Sequence, residues 1–411
     1  METAPPPPQT TFFLTKLLEH ITRTHVSYDK AFRAISKRYE VPKWLYGTFY
    51  KLGYYVTLYY YALRWIAGVH GYGTKPAGII SYFQSIGFSI RRFLRIVEKE
   101  TKNLSPVKRI SIRYSYPEYL VRDLMKHLSL DEIERYLAKL NERKVWLRIN
   151  TLKTSIDKAL KCLDDEGVKY RVDNKLDYMI YIESPKWLQP GKLDCVKKGL
   201  LIPQDIASAW VVETLLKLDN ATIVLDACSA PGIKLGLLMA RKKKNIRAIA
   251  VDKSWRRINI LKKLLPIQGV DNFAVNILNA DSSEIEYRIQ FPLALVDAPC
   301  SGSGAVSGDP AIKISIERKG KLEYYHNNQV LILKNTLKHS KRVVYAVCSI
   351  HPYEGEEVIK EILSKNLARV IEIDIDLPKA YRGYEFSSKT YRTYPHLMNS
   401  QGFYIAALEA K

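Results

Sequence analysis

The feature that most limits the fold of this chain is a series of short, continuous apolar segments in its C-terminal half. They lie at residues 223–225, 248–251, 293–296 and 343–346, and helix-length segments separate them. Continuous apolar runs are typical of strands buried on both faces, whereas strands with one solvated face alternate apolar and polar residues. Alternation of such strands with helices predicts an α/β domain with a doubly wound parallel sheet, which we place at residues 201–411.

Upstream of residue 201 the pattern changes twice. Residues 1–10 contain four consecutive prolines, whose fixed φ and missing N–H oppose helix and sheet, so a disordered tail is expected. From residue 11 to 105 apolar residues such as Phe13, Leu17 and Ile21 recur at helical spacing, which predicts an all-helical domain. Residues 106–200 hold candidate strands at 145–150 and 179–182 with a helix at 155–166 between them, which predicts a small α/β module.

The charge balance favours a polyanionic partner. Lys and Arg number 64 against 42 Asp and Glu, a formal net charge of +22, and nucleic acid is the polyanion we consider before an acidic membrane. The most apolar stretch, residues 52–63, falls short of the ~20 residues that a membrane helix needs. The N-terminal residues lack the basic and apolar regions of a signal peptide. We therefore expect a cytoplasmic protein with no membrane partner, and we expect a monomer.

The five cysteines predict neither a disulfide framework nor a metal site. They occupy positions 162, 195, 228, 300 and 348, with no CxxC pair and no close, even spacing. A reducing compartment is the expected setting of such a chain.

A cofactor site is predicted where the first two strands of the sheet end, because ligands of such sheets bind at the carboxyl ends of strands. The first strand runs into a loop of small residues from Asp226 to Lys234, and the second ends at Asp252. The phosphate-binding pattern GxGxxG is absent, so a dinucleotide is disfavoured. Asp252 is placed to accept hydrogen bonds from ribose hydroxyls, and Asp281, after the next segment, from an adenine amino group. Either acid alone would more commonly be a cap or turn residue.

Adenosine recognition without pyrophosphate fits S-adenosylmethionine. The candidate cofactor-binding residues are Cys228, Ser229, Ala230, Pro231, Gly232, Ile233, Lys234, Asp252, Asp281 and Asp297.

The chemistry is predicted to lie at two cysteines. Cys300 follows the strand that ends near Asp297, and Cys348 follows the next strand. A lone cysteine is commonly a small buried hydrophobe. Two cysteines at equivalent strand ends make that interpretation weaker, and a disulfide between them is the other alternative.

These segments resemble the motifs of a known family. Asp-Ala-Cys-Ser-Ala-Pro-Gly-Ile-Lys, Asp-Ala-Pro-Cys-Ser-Gly-Ser-Gly and Val-Tyr-Ala-Val-Cys-Ser-Ile-His-Pro-Tyr-Glu are similar to motifs I, IV and VI of the Nol/Nop/Sun RNA cytosine-5 methyltransferases. The resemblance spans roughly residues 105–411, and the helices before it resemble, more weakly, a NusB-like RNA-binding domain. The family loop usually reads APGGK, so Ile233 is a departure, as are Val347 before the motif VI cysteine and Gly355 in the segment that usually reads ENE.

The resemblance implies a Rossmann-like class I S-adenosylmethionine-dependent methyltransferase domain, preceded by an RRM-like module and the helical domain. It makes Cys348 the nucleophile that adds to C6 of cytosine and Cys300 the residue that assists breakdown of the adduct. Asp297 is then placed to hydrogen-bond or protonate N3. Lys234 would orient the base or lower a thiol pKa, with a solvated lysine as the alternative.

Two other functions stay open at this stage. One is a non-catalytic RNA-binding ribosome assembly factor that keeps the fold, and the other is a DNA cytosine-5 methyltransferase, whose nucleophile would be Cys300. Among RNAs, ribosomal RNA is favoured because of the NusB-like resemblance, and transfer RNA is the alternative.

Overall fold

The computed structural model describes residues 7–243, 245–270 and 274–411, and the chain divides into two compact units. The first comprises Met1–Glu142 and Ser301–Lys321, and the second comprises Arg143–Cys300 and Leu322–Lys411. The predicted catalytic segment 201–411 is therefore interrupted, because its residues 301–321 group with the N-terminal helices.

The first unit is built from helices. In chain order they are α1 (Gln9–Thr24), α2 (Tyr28–Arg38), α3 (Tyr46–Leu58), α4 (Tyr60–Val69), α5 (Pro76–Ser85), α6 (Ile90–Glu100), α7 (Pro106–Tyr114), α8 (Glu118–Leu124) and α9 (Leu130–Leu140).

Their boundaries differ from the expected ones at three places. Helix α1 begins at Gln9, so the last two residues of the expected tail 1–10 are helical, while residues 1–6 lie outside the described residues. The apolar stretch 52–63 is divided between α3 and α4, which meet at Tyr59. No helix in the described part of the chain has both the length and the apolar character to cross a bilayer. Helices α7–α9 extend the unit beyond residue 105, because Ser115 accepts a hydrogen bond from the Ala62 N–H.

The segment Ser301–Lys321 is held in the first unit by specific contacts. The Asp309 carboxylate accepts from the Tyr28 N–H at 2.9 Å, and the Tyr54 hydroxyl donates to the Ser307 carbonyl at 2.9 Å. Lys313 is buried, donates to the Tyr114 carbonyl at 2.5 Å, and lies 3.9 Å from the centre of the Tyr116 ring. Burial holds the pKa of Lys313 well below its usual value.

The remaining elements lie in the second unit, except for the short helix at Ile312–Ser315 (α15), which belongs to the first. In chain order they are β1 (Trp146–Ile149), α10 (Ile156–Asp165), β2 (Lys169–Val172), β3 (Met179–Ser184), α11 (Asp194–Lys197), β4 (Leu201–Pro203), α12 (Ile206–Leu218), β5 (Ile223–Asp226), α13 (Ile233–Arg241), β6 (Arg247–Asp252), α14 (Trp255–Ile267), β7 (Val275–Asn279), β8 (Phe291–Asp297), α15 (Ile312–Ser315), α16 (Gly320–Lys338), β9 (Ser340–Val347), α17 (Glu356–Ser364), β10 (Ala368–Ile371), β11 (Tyr391–Thr393), α18 (Pro395–Met398) and β12 (Phe403–Ala410).

The strands form two sheets. The smaller is antiparallel, in the order β2-β3-β1-β4, and its strands lie between Trp146 and Pro203. The larger has the order β10-β12-β9-β8-β5-β6-β7, with β11 paired to β12. Strands β5 to β9 are parallel, as predicted, but β12 runs antiparallel to its neighbours β9, β10 and β11, so the sheet is mixed. The order reverses at β5, which lies between β6 and β8, and this places a ligand crevice at its carboxyl end.

The parallel strands are buried on both faces, which explains their continuous apolar sequence. Leu293 and Leu295 of β8 pack on one side of the sheet, in the same core as the small sheet. Ala294 and Val296 point to the opposite side, where they join residues of α16 and α17. The predicted α/β architecture is confirmed.

One disulfide, between Cys162 and Cys195, is present although the cysteine spacing predicted no disulfide framework. The two residues are 33 positions apart, but the packing of α10 and α11 brings their Cα atoms to 6.1 Å, within the range that a disulfide spans. Sequence spacing alone does not reveal such a long-range approach. The inference of a reducing compartment, which rested on that expectation, loses its support.

Candidate active site

The loop after β5 turns sharply into α13, and Gly232 makes the turn possible. Its φ of +95° lies in the left-handed region, and a Cβ there would come within 2.4 Å of Leu261. Ile233 is the first residue of α13 and has no need of that conformation. The departure from the usual family loop is therefore accommodated, because the position that requires glycine keeps it.

A pocket of about 200 Å³ opens at the carboxyl ends of β5, β6 and β7. Three of the ten predicted cofactor residues line it, namely Cys228, Asp252 and Asp281. The stretch from Ser229 to Lys234 continues the loop and the start of α13, and Asp297 ends β8. The full lining is Ala227, Cys228, Asp252, Lys253, Ser254, Arg257, Asp281, Ser282, Pro299, Tyr324, Asn328 and Ile332.

Both predicted acids are held in place by their neighbours. One Asp252 oxygen accepts from the Ser254 N–H at 2.9 Å, and the other lies 3.4 Å from the Arg257 guanidinium. Asp281 pairs with Lys253 at 2.5 Å and accepts from Ser283. Partial burial raises the pKa of Asp281, but the Lys253 ammonium and the Ser283 hydrogen bonds outweigh it and lower that pKa overall.

Asp226, at the end of β5, is fully buried. Burial, and to a smaller extent the nearby Asp297 carboxylate, raise the pKa of Asp226 to about 7. Its neighbour Cys228 is buried too, and burial raises the pKa of that thiol well above its usual value. Cys228 therefore lines the pocket as a neutral thiol and is not a nucleophile.

The two predicted catalytic cysteines lie side by side. Strands β8 and β9 pair in parallel with Asp297 opposite Ala346, so the segments that follow them leave the sheet at the same edge. The Cys300 and Cys348 sulfurs are 3.2 Å apart, neither is in a disulfide, and both are partly exposed. The alternative of a disulfide between them is not realised.

Lys234 and Asp297 form an ion pair, with Nζ 2.6 Å from Oδ2. The Lys234 side chain is only 13% exposed, and its ammonium also lies 5.2 Å from the centre of the Phe403 ring. The alternative of a solvated lysine is therefore wrong. The pair places a proton donor and a carboxylate at the end of the strand that leads to Cys300.

Comparison with known proteins gives a consistent result. The family model for 16S rRNA methyltransferase RsmB/F matches residues 213–409, and the model for the RsmF/B-like ferredoxin-like domain matches residues 116–189. A *Caenorhabditis elegans* 26S rRNA (cytosine-C(5))-methyltransferase is 30% identical over 296 residues, which cover 64% of this chain and 67% of the relative.

The chain belongs to the Nol/Nop/Sun family of RNA cytosine-C5 methyltransferases. The resemblance inferred from the motifs is confirmed. A *Pyrococcus abyssi* tRNA (cytosine(49)-C(5))-methyltransferase is 27% identical, over 69% of this chain and 94% of the relative. The crystal structure of PH0851 has a TM-score of 0.79 at 20% identity and covers 99% of this chain and all of that one, a likeness of fold.

Several residues that line the pocket of this methyltransferase were not predicted from the sequence. Arg257 lies in the first turn of α14, where it donates to the Ala230 carbonyl and pairs with Asp252, so its place shortly after an acidic strand end was a usable signal. Tyr324 and Asn328 lie one helical turn apart on α16, and they line the pocket although α16 is distant in sequence from β5, β6 and β7. Nothing in their local sequence marks them, because only the packing of α16 brings them there.

Proposed function

We propose that this protein transfers a methyl group from S-adenosylmethionine to C5 of cytosine in RNA, through a covalent bond between Cys348 and C6. One observation carries the proposal: two thiols, neither in a disulfide, lie 3.2 Å apart at the ends of neighbouring parallel strands. A single thiol suffices for attack, so a second one at this distance calls for a separate role in the same reaction. Membership of the RNA cytosine-C5 methyltransferases supplies the reaction class.

The pocket residues fit an adenosine-bearing methyl donor. Asp252 and Asp281 offer carboxylate oxygens that accept from ribose hydroxyls and an exocyclic amine. Lys253 and Arg257 are already engaged with these acids, and the loop lacks a GxGxxG anion cradle, which disfavours a pyrophosphate. When bound, S-adenosylmethionine supplies an electrophilic methyl group on a sulfonium.

Cys348 activates the pyrimidine, because C5 of cytosine is too electron-poor to attack that methyl group unaided. The thiolate adds to C6, a proton reaches N3, and C5 becomes the nucleophilic carbon of an enamine. C5 then takes the methyl group, and S-adenosylhomocysteine leaves as the neutral thioether. When H5 is lost as a proton, its bonding pair reforms the C5–C6 double bond, the C6–S bonding pair returns to the Cys348 sulfur, and N3 gives up its proton. Cys300, 3.2 Å away, assists this last expulsion.

The Lys234 and Asp297 pair serves the N3 end of the base. The Lys234 ammonium nitrogen lies 2.6 Å from an Asp297 carboxylate oxygen, close enough to pass it a proton. As Cys348 attacks, negative charge develops on the ring, and a positioned acid and cation stabilise it better than water does. With the proton received from Lys234, Asp297 hydrogen-bonds or protonates N3.

Ribosomal RNA is the favoured substrate and transfer RNA the second candidate. The family model and the nematode relative are named for ribosomal RNA, whereas the *Pyrococcus* relative is named for transfer RNA and is covered over nearly its whole length. The net charge of +22 suits either RNA, since both present the same phosphates. We assign the helical unit and the small antiparallel sheet to RNA binding, and we propose that the protein is monomeric and cytoplasmic.

Incubation with methyl-labelled S-adenosylmethionine tests the reaction. Separate samples receive unmodified ribosomal RNA, unmodified transfer RNA and cytosine-containing DNA. Label in 5-methylcytosine of one RNA is the expected result. Label on a base nitrogen or a ribose would contradict the proposal, and label in DNA alone would favour the DNA enzyme. Cofactor binding without any transfer to these substrates would favour a non-catalytic assembly factor.

A further inference from the structure

The two thiol-bearing segments are joined by a chain of buried polar groups. The Gln329 side-chain amide, on α16, donates to the carbonyl of Pro299 at 2.9 Å and to a Glu354 oxygen at 3.3 Å. The other Glu354 oxygen accepts from the Ser349 hydroxyl at 2.6 Å. Pro299 precedes Cys300 and Ser349 follows Cys348, so one amide and one carboxyl group connect the backbones on either side of the thiol pair.

Glu354 is held through its backbone as well as through its side chain. It is fully buried, and its backbone carbonyl accepts from the Tyr345 hydroxyl of β9 at 2.6 Å. Gln329 is fully buried on the 19-residue helix α16, so neither group has room to shift.

A second buried contact holds the same segment from another direction. Arg392, on β11, donates to the Ser349 carbonyl at 2.8 Å and forms a two-point ion pair with Glu356 at 2.6 and 2.8 Å. Both charged side chains are fully buried. The residue after Cys348 is therefore bound through its hydroxyl and through its carbonyl.

We propose that Gln329 and Glu354 are positioning residues that set the distance between the Cys348 and Cys300 sulfurs. The inference rests on the proposed two-thiol reaction and adds the device that holds the thiols at working separation. Neither residue needs to touch the substrate. Gln329 acts through Pro299 on the Cys300 side, and Glu354 acts through Ser349 on the Cys348 side.

The physical reason is the steep dependence of such reactions on geometry. Misplacement of a reacting group by about 1 Å can cost on the order of 100-fold in rate. The Ala298 N–H still donates to the Ala346 carbonyl of β9 at 2.9 Å, but Cys300 and Cys348 each lie two residues beyond this bond, so the strands alone do not fix where the sulfurs lie. A buried hydrogen-bonded bridge supplies the missing constraint.

Gln329→Leu tests the bridge, because leucine keeps the bulk and removes the donor. Thr336→Val is the matched control, since the buried Thr336 hydroxyl bonds only to the Ile332 carbonyl within the same helix. The geometric readout is oxidation by diamide, which takes two electrons and two protons as the Cys300 and Cys348 thiols form an S–S bond. Peptide mass spectrometry quantifies that bond. We expect oxidation and kcat to fall about 10- to 100-fold in Gln329→Leu, with KM for S-adenosylmethionine unchanged and the control like the wild type.

A pair of substitutions at Glu354 separates geometry from charge. Glu354→Gln keeps groups that hydrogen-bond to Gln329 and Ser349 and is expected to retain most of the oxidation rate and kcat. Glu354→Leu removes both partners and is expected to behave like Gln329→Leu. Wild-type oxidation and kcat in folded Gln329→Leu and Glu354→Leu would overturn the positioning role. Failure of Cys300→Ala to form any RNA adduct, with the bridge effect on oxidation intact, would instead contradict the proposed reaction.

Discussion

The second unit contains two pairs of neighbouring cysteines with opposite chemistry. Cys162 and Cys195 are bonded and join α10 to α11. Cys300 and Cys348 form no disulfide although their sulfurs are 3.2 Å apart. The first pair links two helices through the fully buried Cys195, whereas the second lies at the carboxyl ends of parallel strands, where this fold builds its sites.

The difference shows that proximity does not decide what a cysteine pair does. Around the thiols, Gln329, Glu354 and Ser349 tie the flanking backbone, and the Lys234 and Asp297 pair lies at the end of β8. Around the disulfide, Glu166 accepts from the first backbone N–H groups of α11. We therefore assign activity to Cys300 and Cys348 and stability to the Cys162–Cys195 disulfide, and substitutions can test this division.

Cys348→Ala is expected to have the largest effect. Without the nucleophile C5 is never activated, so methyl transfer should fall on the order of 10⁴-fold or more. The melting temperature should stay close to that of the wild type, because only a small, partly exposed sulfur group is lost. Label transfer to RNA and a melting curve measure the two quantities. Substantial activity in the folded variant would remove Cys348 from the reaction.

Lys234→Met should follow, with a loss of roughly 10²- to 10⁴-fold in kcat, the range typical of a group that assists proton transfer. Lys338→Met is the matched control, because Lys338 forms an exposed ion pair with Glu286 at 2.6 Å in the same unit. Equal kcat values for the two variants would show that the Lys234 and Asp297 pair does not serve the thiol site.

The double variant Cys162→Ala/Cys195→Ala should give the opposite result. Loss of a cross-link over 33 residues is expected to lower the free energy of unfolding by about 3–4 kcal/mol. The kcat at a temperature where the protein stays folded should be unchanged. Denaturant titration and label transfer measure both. A large loss of activity with little loss of stability would contradict the assignment of the disulfide to stability alone.

Glu166→Ala should have the smallest effect. It removes the acceptor for the N–H groups of Asp194 and Cys195 at the start of α11, which should cost about 1 kcal/mol of unfolding free energy. Glu183→Ala is the control, since Glu183 lies 3.8 Å from Arg171 in an exposed pair that should contribute less. An equal shift for both variants would show that Glu166 does not support the disulfide region.

Local sequence patterns were sufficient for the scaffold of the site. The continuous apolar runs gave β5, β6, β8 and β9 because strands buried on both faces leave that signature. The order of the motifs then placed Asp252, Asp281, Asp297, Cys300 and Cys348 at strand ends.

Contacts between distant segments were not predictable in the same way. The disulfide, the assignment of Ser301–Lys321 to the helical unit, and the antiparallel β12 all depend on which elements pack together. Gln329 and Arg392 carry no motif, and each reaches its partners across 25 or more residues of sequence. Periodicity describes one element at a time, so it contains no information about these approaches.

The most direct test of the central claim is the covalent RNA adduct on denaturing gels. Cys300→Ala should accumulate an RNA-linked species, because attack and methyl transfer proceed while expulsion of Cys348 is slowed. Cys348→Ala, and the double variant Cys300→Ala/Cys348→Ala, should form none. An adduct that accumulates in Cys348→Ala and is absent from Cys300→Ala would reverse the two roles and contradict the account.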